Sequence, residues 1–328
     1  MGLDINTKKL KKNAFRVSKV RGIGASRIRV PGGYCNAKVL GMVQEIAEEY
    51  GNGYVHLTTR QGFEIEGIRF EDMDAINEKL QPIIDLIETN QDPAMKGYPA
   101  SGTRNISACI GNNVCPFANY NTAALAKRID KEIFPNDLHV KVACTGCSND
   151  CAKARMHDFG VIGQTMPQYD PTRCVSCKAC IKGCDTLSVG ALRMENYKIV
   201  RDSAKCVGCG VCVTKCPTRA WTRSKKKYYK LAIMGRTGKK NPRLGEDFLV
   251  WCDEDSIVKI IKNTYAYAKE FISPTAPGGK EHIGYIIDRT GFEKFKEYVL
   301  KDVELPPECI IHENVYWSGI HFDHSNMN

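Results

Sequence analysis

Most of the 16 cysteines stand in spaced runs, and thiolates at such spacings hold metal rather than one another. One set is Cys109-x5-Cys115 with Cys147-x3-Cys151 downstream. The other is a tandem: Cys174-x2-Cys177-x2-Cys180-x3-Cys184, then Cys206-x2-Cys209-x2-Cys212-x3-Cys216, closed by Pro217. Four thiols at x2, x2, x3 are a [4Fe–4S] ligand pattern. Zinc takes its four ligands in pairs, so two runs of four favour clusters over a pair of zinc sites. Disulfides do not suit so large a chain with these spacings. Thiolate clusters need reducing surroundings, which places the chain in the cytoplasm.

The elements that must hold these thiols can be read from periodicity. The chain has 328 residues, enough for two or three domains, and 43% of them are hydrophobic, enough for packed cores. Residues 27–30 read as a strand stopped by Pro31-Gly32-Gly33. Val39, Val43, Ile46 and Ala47 mark a helix ending at Tyr50-Gly51. Strands follow at 54–59 and 63–68, and Ile76, Leu80, Ile83, Ile84 and Ile87 mark a second helix, so the first part is a small α+β unit. Residues 91–103 read as a linker. A helix is expected at 123–133, a strand at 137–143, a tight loop at 144–151 and a strand at 159–163. The cysteine tandem occupies about 170–222 as an internal repeat. A strand resumes at 228–234, and two amphipathic helices follow, one with Ile257, Ile260, Ile261 and Ala268, the other with Phe292, Phe295 and Val299. Cys35, Cys252 and Cys309 stand alone and read as small buried residues.

Composition excludes several functions. No apolar run is long enough to cross a bilayer. The polar, basic stretch 1–12 lacks the features of a secretory signal. The formal net charge of +10 counts every cysteine as neutral, whereas cluster-bound thiolates are negative. The one patch suited to nucleic acid is Lys225 to Lys227 with Tyr228 and Tyr229, and no nucleic-acid partner is expected. Gly22-Ile23-Gly24 lacks the third glycine of a dinucleotide fingerprint. No other flavin or NAD signature occurs, so electrons must come from a partner.

The tandem resembles two-cluster bacterial ferredoxins, with Asp185 where a second proline is usual. In that family the fourth cysteine of each run ligates the other cluster. The resemblance therefore implies one cluster on Cys174, Cys177, Cys180 and Cys216, and another on Cys206, Cys209, Cys212 and Cys184. The rest of the chain resembles sirohaem-dependent sulfite and nitrite reductases. That resemblance rests on the first cysteine set, Arg29-Val30-Pro31-Gly32-Gly33, Thr59-Arg60-Gln61-Gly62, Arg104-Asn105 and His139-Val140-Lys141. Size and the inserted ferredoxin segment point most narrowly to the catalytic subunits of anaerobic, NADH-linked sulfite reductases.

The resemblance implies a fold of mixed α+β sulfite-reductase-type domains with an inserted two-cluster ferredoxin domain. The division would be 1–95 as an N-terminal ferredoxin-like half, 96–168 with 223–328 as the sirohaem and [4Fe–4S] domain, and 169–222 as the insertion. Three [4Fe–4S] clusters and sirohaem are implied. Cys109, Cys115, Cys147 and Cys151 would hold the third cluster, with Cys151 bridging to the sirohaem iron. Cys144 also has a ligand-like spacing to Cys147, but the family's x3 spacing selects Cys147 and Cys151. Arg29, Arg104, His139 and Lys141 would bind sulfite; the family commonly has lysine where His139 stands. Arg60, Gly235, Arg236, Gly238 and Arg243 would meet the sirohaem carboxylates. The implied reaction is six-electron reduction of sulfite to sulfide, with electrons from iron–sulfur and flavin/NADH subunits of the same complex. A sirohaem nitrite reductase and a non-catalytic iron–sulfur electron-transfer protein are the alternatives.

Overall fold

A computed structural model describes residues 14–90, 104–136, 138–238 and 242–315; the expected linker at 91–103 and the stretch 1–12 lie outside them. The chain divides into two units. Unit 1 comprises Met1–Ala108, Ala123–Val142 and Ile261–Lys301; unit 2 comprises Cys109–Thr122, Ala143–Ile260 and Asp302–Asn328. In chain order the elements are β1 (Phe15–Val17), β2 (Ile23–Ile28), α1 (Lys38–Glu49), β3 (Val55–Leu57), β4 (Phe63–Arg69), α2 (Met73–Ile87), β5 (Ser107–Ala108), α3 (Thr122–Ile133), β6 (Val142–Thr145), β7 (Phe159–Gln164) and β8 (Gln168–Tyr169). They continue with α4 (Ala179–Thr186), β9 (Leu192–Glu195), β10 (Lys198–Arg201), α5 (Val211–Lys215), β11 (Trp221–Thr222), β12 (Tyr228–Ile233), β13 (Glu246–Cys252), α6 (Glu254–Phe271), α7 (Ile283–Thr290), α8 (Phe292–Leu300) and β14 (Ile310–Ile311).

Unit 1 is built on an antiparallel sheet in the order β1-β2-β4-β3. The apolar stripes of α1 and α2 bury against it: Val39, Val43, Ile46 and Ala47 from one, Ile76, Leu80, Ile83, Ile84 and Ile87 from the other, with Ile28, Ile65 and Ile68 from the strands. Burying each large aliphatic side chain contributes about 1.5–3 kcal/mol. The loop Thr58 to Gly62 turns back on β2. A Cβ on Gly62 would lie 2.5 Å from the carbonyl oxygen of Ile28, so only glycine allows that approach. Gln61, at φ 62°, then uses its side-chain amide as a piece of strand. Its Nε2 donates to the Ala108 carbonyl at 2.7 Å, and its Oε1 accepts the Ala108 N–H at 2.7 Å.

Unit 2 carries a sheet in the order β14-β13-β12-β7-β6. Strand β7 pairs antiparallel with β12, Gln164 facing Tyr228 and Phe159 facing Ile233. The segment 165–227, with both cysteine runs of the tandem, therefore leaves and rejoins the sheet at neighbouring positions. Its ends are tied by the short ladder of β8 with β11, where Tyr169 faces Trp221 and the rings lie 4.7 Å apart. The segment has its own small core of Cys180, Cys184, Ala191, Leu192, Ile199, Cys212 and Trp221.

Three expectations change. The strand read at 137–143 is Val142–Thr145 instead; residues 138–141 are irregular, and Asp137 lies outside the described residues. His139 and Lys141 therefore do not share a strand face. Tyr228 and Tyr229 are buried in β12, so the basic patch beside them has no exposed aromatics for bases to stack on. Of the isolated cysteines only Cys252 is buried; Cys35 and Cys309 are partly exposed, and the Cys252 thiol donates to the Tyr229 carbonyl at 3.1 Å with Cys309 close enough to perturb it. Among the described residues no helix is long and apolar enough to cross a membrane.

Removing the Gln61 amide strands the Ala108 N–H and C=O. Gln61→Ala is expected to lower stability by about 1–3 kcal/mol, and Gln61→Leu, which restores bulk without an amide, to give no rescue. Denaturant unfolding followed by circular dichroism measures both.

Candidate functional site

The first cysteine set lies entirely in unit 2. Cys109 gives its N–H to the Cys144 carbonyl at 3.1 Å, and its sulfur accepts the Gly146 N–H at 3.1 Å. The Cys115 N–H closes a turn on the Gly111 carbonyl at 3.0 Å. Burial raises the Cys147 thiol; the Asn149 amide opposes this, and the nearby Cys115, Cys151 and Cys109 sulfurs raise it further. Cys115, Cys151 and Cys109 thus all lie near Cys147. Four thiolates there would repel one another without a cationic centre, which the iron of a [4Fe–4S] core supplies. Cys151 is exposed and Cys147 buried, so the last thiol of the set is the accessible one. Cys144 behaves differently. It is fully buried, its thiol is pushed up to about 12 by burial, and it is hydrogen-bonded to the Tyr120 hydroxyl in the core.

The tandem is a structural repeat with an offset of 32 residues, Cys174 to Cys206 and Cys184 to Cys216. The backbone repeats with it: Ser176 and Gly208 have φ of 58° and 69°, Lys178 and Gly210 of 59° and 76°. Each left-handed residue turns a loop so that consecutive cysteines converge. Cys216, from the second run, lines one cavity with Cys174, Cys177 and Cys180. Cys184, from the first, lies close enough to Cys209 that the two thiols interact, along with Cys206; burial is the larger cause of the rise at Cys209. Cys212 is pushed up to about 12 by burial, then by Cys206 and Cys209. Cys216 thus joins the first three thiols of the other run, and Cys184 lies near Cys209. Backbone N–H groups point at these sulfurs: Ala220 to Cys216 at 3.2 Å, Ala191 to Cys184 at 3.3 Å and Ser176 to Cys174 at 3.5 Å. Donors of this kind stabilise bound thiolate and tune a cluster.

The basic residues Arg29, Arg60, Arg104, His139 and Lys141 all lie in unit 1. Asn105 binds their loops together: its Nδ2 donates to the Val30 carbonyl at 2.8 Å and to the Arg60 carbonyl at 2.5 Å. Arg104 is half-buried. Burial lowers its pKa, and the nearby charges of Arg60, Arg27 and Arg16 lower it further. Four guanidinium groups share this region, and Glu64 bonds two of them, Arg16 at 2.5 Å and Arg27 at 3.0 Å. Such an excess of fixed positive charge favours a bound anion. Arg29 is 5% exposed, is ion-paired with Asp130 and stacks over the Phe134 ring at 3.7 Å. The His139 ring lies 4.6 Å from that of His282.

In unit 2, Arg236 and Arg243 exchange backbone hydrogen bonds of 2.8 and 2.6 Å, and both side chains are buried. A Cβ on Gly235 would collide with the Arg155 carbonyl oxygen, so its lack of a side chain serves packing; Gly238 has open space around it. Arg16, Arg27, Asp130 and His282 escaped the reading of the sequence. Arg16 and Arg27 come beside Glu64 through strand pairing, Arg27 directly facing it in register. No local motif marks such a contact.

Asp130→Asn removes the charge facing buried Arg29 and is expected to cost about 3–5 kcal/mol, the usual consequence of a buried ion left without its partner. The double variant Arg29→Met with Asp130→Asn should recover much of that loss in denaturant unfolding.

Residues 100–306 match the family described as nitrite and sulphite reductase 4Fe-4S domain, and residues 20–83 match the nitrite/sulfite reductase ferredoxin-like half domain. The chain is 43% identical over 327 residues to the C subunit of the anaerobic sulfite reductase of Salmonella typhimurium, covering 97% of this chain and 96% of that protein. It is 29% identical over 288 residues to the coenzyme F420-dependent sulfite reductase of Methanocaldococcus jannaschii, covering 85% of this chain and 43% of that one. Its fold is similar to that of dissimilatory sulfite reductase I, with a TM-score of 0.67 and 16% identity over 92% of this chain and 74% of the other. With a family match over most of its length and a full-length relative of this similarity, the chain belongs to the nitrite and sulfite reductase 4Fe-4S family.

Proposed function

We propose that this chain reduces sulfite to sulfide, taking electrons from a partner through an inserted two-cluster ferredoxin domain. The observation that carries the reading is that Cys115, Cys151 and Cys109 all lie near Cys147, with the Cys109 sulfur on the Gly146 N–H at 3.1 Å and Cys151 exposed. That donor set would hold a [4Fe–4S] cluster, and Cys151 would also hold sirohaem. Sirohaem, when bound, supplies an iron on which the sulfur oxyanion is held and reduced.

The chain's own residues supply the rest. Arg104 stays cationic at neutral pH despite its lowered pKa, because arginine starts so high. Its planar fork suits two oxygens of one sulfite, and each charge-assisted hydrogen bond contributes about 1.5–3 kcal/mol. Lys141 and His139 are assigned to the same anion and to protons for departing oxygens. Arg29, held by Asp130 and Phe134, is assigned to the rigid edge of that pocket. Arg60, Arg236 and Arg243 suit the sirohaem carboxylates, and buried guanidinium groups are favoured by a polyanion of that kind. The backbone at Gly235 and Gly238 is assigned beside them. The crossed cysteine sets of the tandem suit two more clusters, making three. The donor is an iron–sulfur or flavin protein of the same complex in the cytoplasm.

Anaerobically purified protein should show a haem-type visible band that shifts on adding sulfite. Cys151→Ala should abolish that band or uncouple it magnetically from the cluster, and Cys144→Ala should leave it in place. The reverse pattern would move the bridge to Cys144. A band that shifts with nitrite and not with sulfite would favour the nitrite reductase reading.

Arg104→Ala and Lys141→Ala should each cut sulfite turnover by at least about tenfold, equal to about 1.4 kcal/mol of transition-state stabilisation. Arg104→Lys should recover only part of it, since a point charge lacks the fork. Steady-state kinetics at matched iron and sirohaem content decides this, and near-normal rates in both alanine variants would place the anion elsewhere.

A further inference from the structure

The two cysteine runs repeat in backbone but not in surroundings. In the first, the left-handed positions are Ser176 and Lys178, Lys178 and Cys177 are exposed, and Val175 is 63% exposed. In the second, the same positions are Gly208 and Gly210. A Cβ on Gly208 would lie 2.6 Å from the Trp251 ring, and one on Gly210 would lie 3.2 Å from Thr165 and 3.3 Å from Asn119. Only the second run is pressed onto the sheet. Gln164 donates to the Val207 carbonyl at 3.0 Å and accepts the Trp251 N–H at 3.1 Å. The Thr165 N–H donates to the Gly208 carbonyl at 2.9 Å.

A second set of contacts reaches the first cysteine set. Arg223 donates from Nε to Asn119 Oδ1 at 3.0 Å and from its terminal nitrogen to the Pro116 carbonyl, next to Cys115, at 2.6 Å. Asn119 in turn gives its N–H to the Gly146 carbonyl, next to Cys147, at 2.8 Å. Asn119 thus lies against Gly210, beside Cys209, and against the loops of Cys115 and Cys147.

We infer that Asn119 and Arg223, backed by Gln164 and Trp251, are positioning residues that fix the order of the electron relay. They hold the set Cys206, Cys209, Cys212 and Cys184 as the inner relay, beside the set Cys109, Cys115, Cys147 and Cys151. They leave Cys174, Cys177, Cys180 and Cys216 as the outer relay, facing the donor. The inference rests on the cluster assignments above. Each transfer moves one electron, oxidising one cluster and reducing the next; six such passages, with protons from solvent, reduce one sulfite. The electrons originate in a reduced iron–sulfur or flavin donor, or in dithionite in the test.

The test uses dithionite-reduced holoenzyme and electron paramagnetic resonance. One of the two ferredoxin-type signals should relax faster than the other, because a further paramagnetic centre lies near it. Cys209→Ser should remove the fast-relaxing signal and Cys177→Ser the slow one; the opposite assignment overturns the order. Ligand variants can fail to fold, so a second measurement uses Asn119→Ala and Arg223→Ala at full iron content. These should weaken the relaxation enhancement and slow reduction of the innermost centre by pre-reduced clusters severalfold in stopped-flow. Arg223→Lys, able to keep one of the two contacts, should fall between. Unchanged relaxation and transfer rates in both alanine variants would overturn the role of the bracket. Wild-type protein without a haem-type band would defeat the sulfite reading alone, since coupling to the Cys109 set still reports the order.

Discussion

Thiols brought close together, four of the run cysteines buried among them, are the constraint around which unit 2 is built. Burial raises Cys147, Cys180 and Cys209 and takes Cys212 up to about 12, so none of them carries charge at neutral pH by itself. Ionising them would require positive charge beside them, so bound iron would couple to the folding of this region. Trp221, Leu192 and Ile199 share a small core with Cys180, Cys184 and Cys212, so these thiols are themselves part of the core. Few apolar side chains are left to hold that segment without metal.

Unit 1 answers a different need. It keeps cations close together, and backbone staples do the holding. Gln61 and Asn105 commit their amides to the carbonyls and N–H groups of Val30, Arg60 and Ala108. These bonds fix the loops that carry Arg29, Arg60 and Arg104 while leaving the guanidinium groups to other partners. Arg29 differs, since its charge is matched internally by Asp130.

The outline of the fold was readable from periodicity. The stripes of α1, α2, α6 and α8 fell where the structure has them, because each amphipathic helix repeats its signal over several turns. The segment 137–143 failed because alternation over so few residues does not separate a strand from an irregular approach to one. Tyr228 and Tyr229 were readable either as a stacking surface or as strand core, and pairing of β12 on both edges makes them core.

Spacing along the chain marked the neighbouring cysteines of each run, because left-handed residues between them, such as Ser176, Lys178, Gly208 and Gly210, turn each loop back on itself; the pairing across runs came from the family resemblance. It also marked Arg29, Arg60 and Arg104 as members of separate motifs. What only the tertiary structure decided are contacts distant in sequence: Asn105 joining those motifs, Asp130 beside Arg29, Arg16 and Arg27 meeting at Glu64, and Cys252 meeting Cys309. The same holds for the difference between the two cysteine runs. Their sequences repeat, but only one lies against Trp251 and Asn119, and sheet pairing between β7, β12 and β13 determines which one.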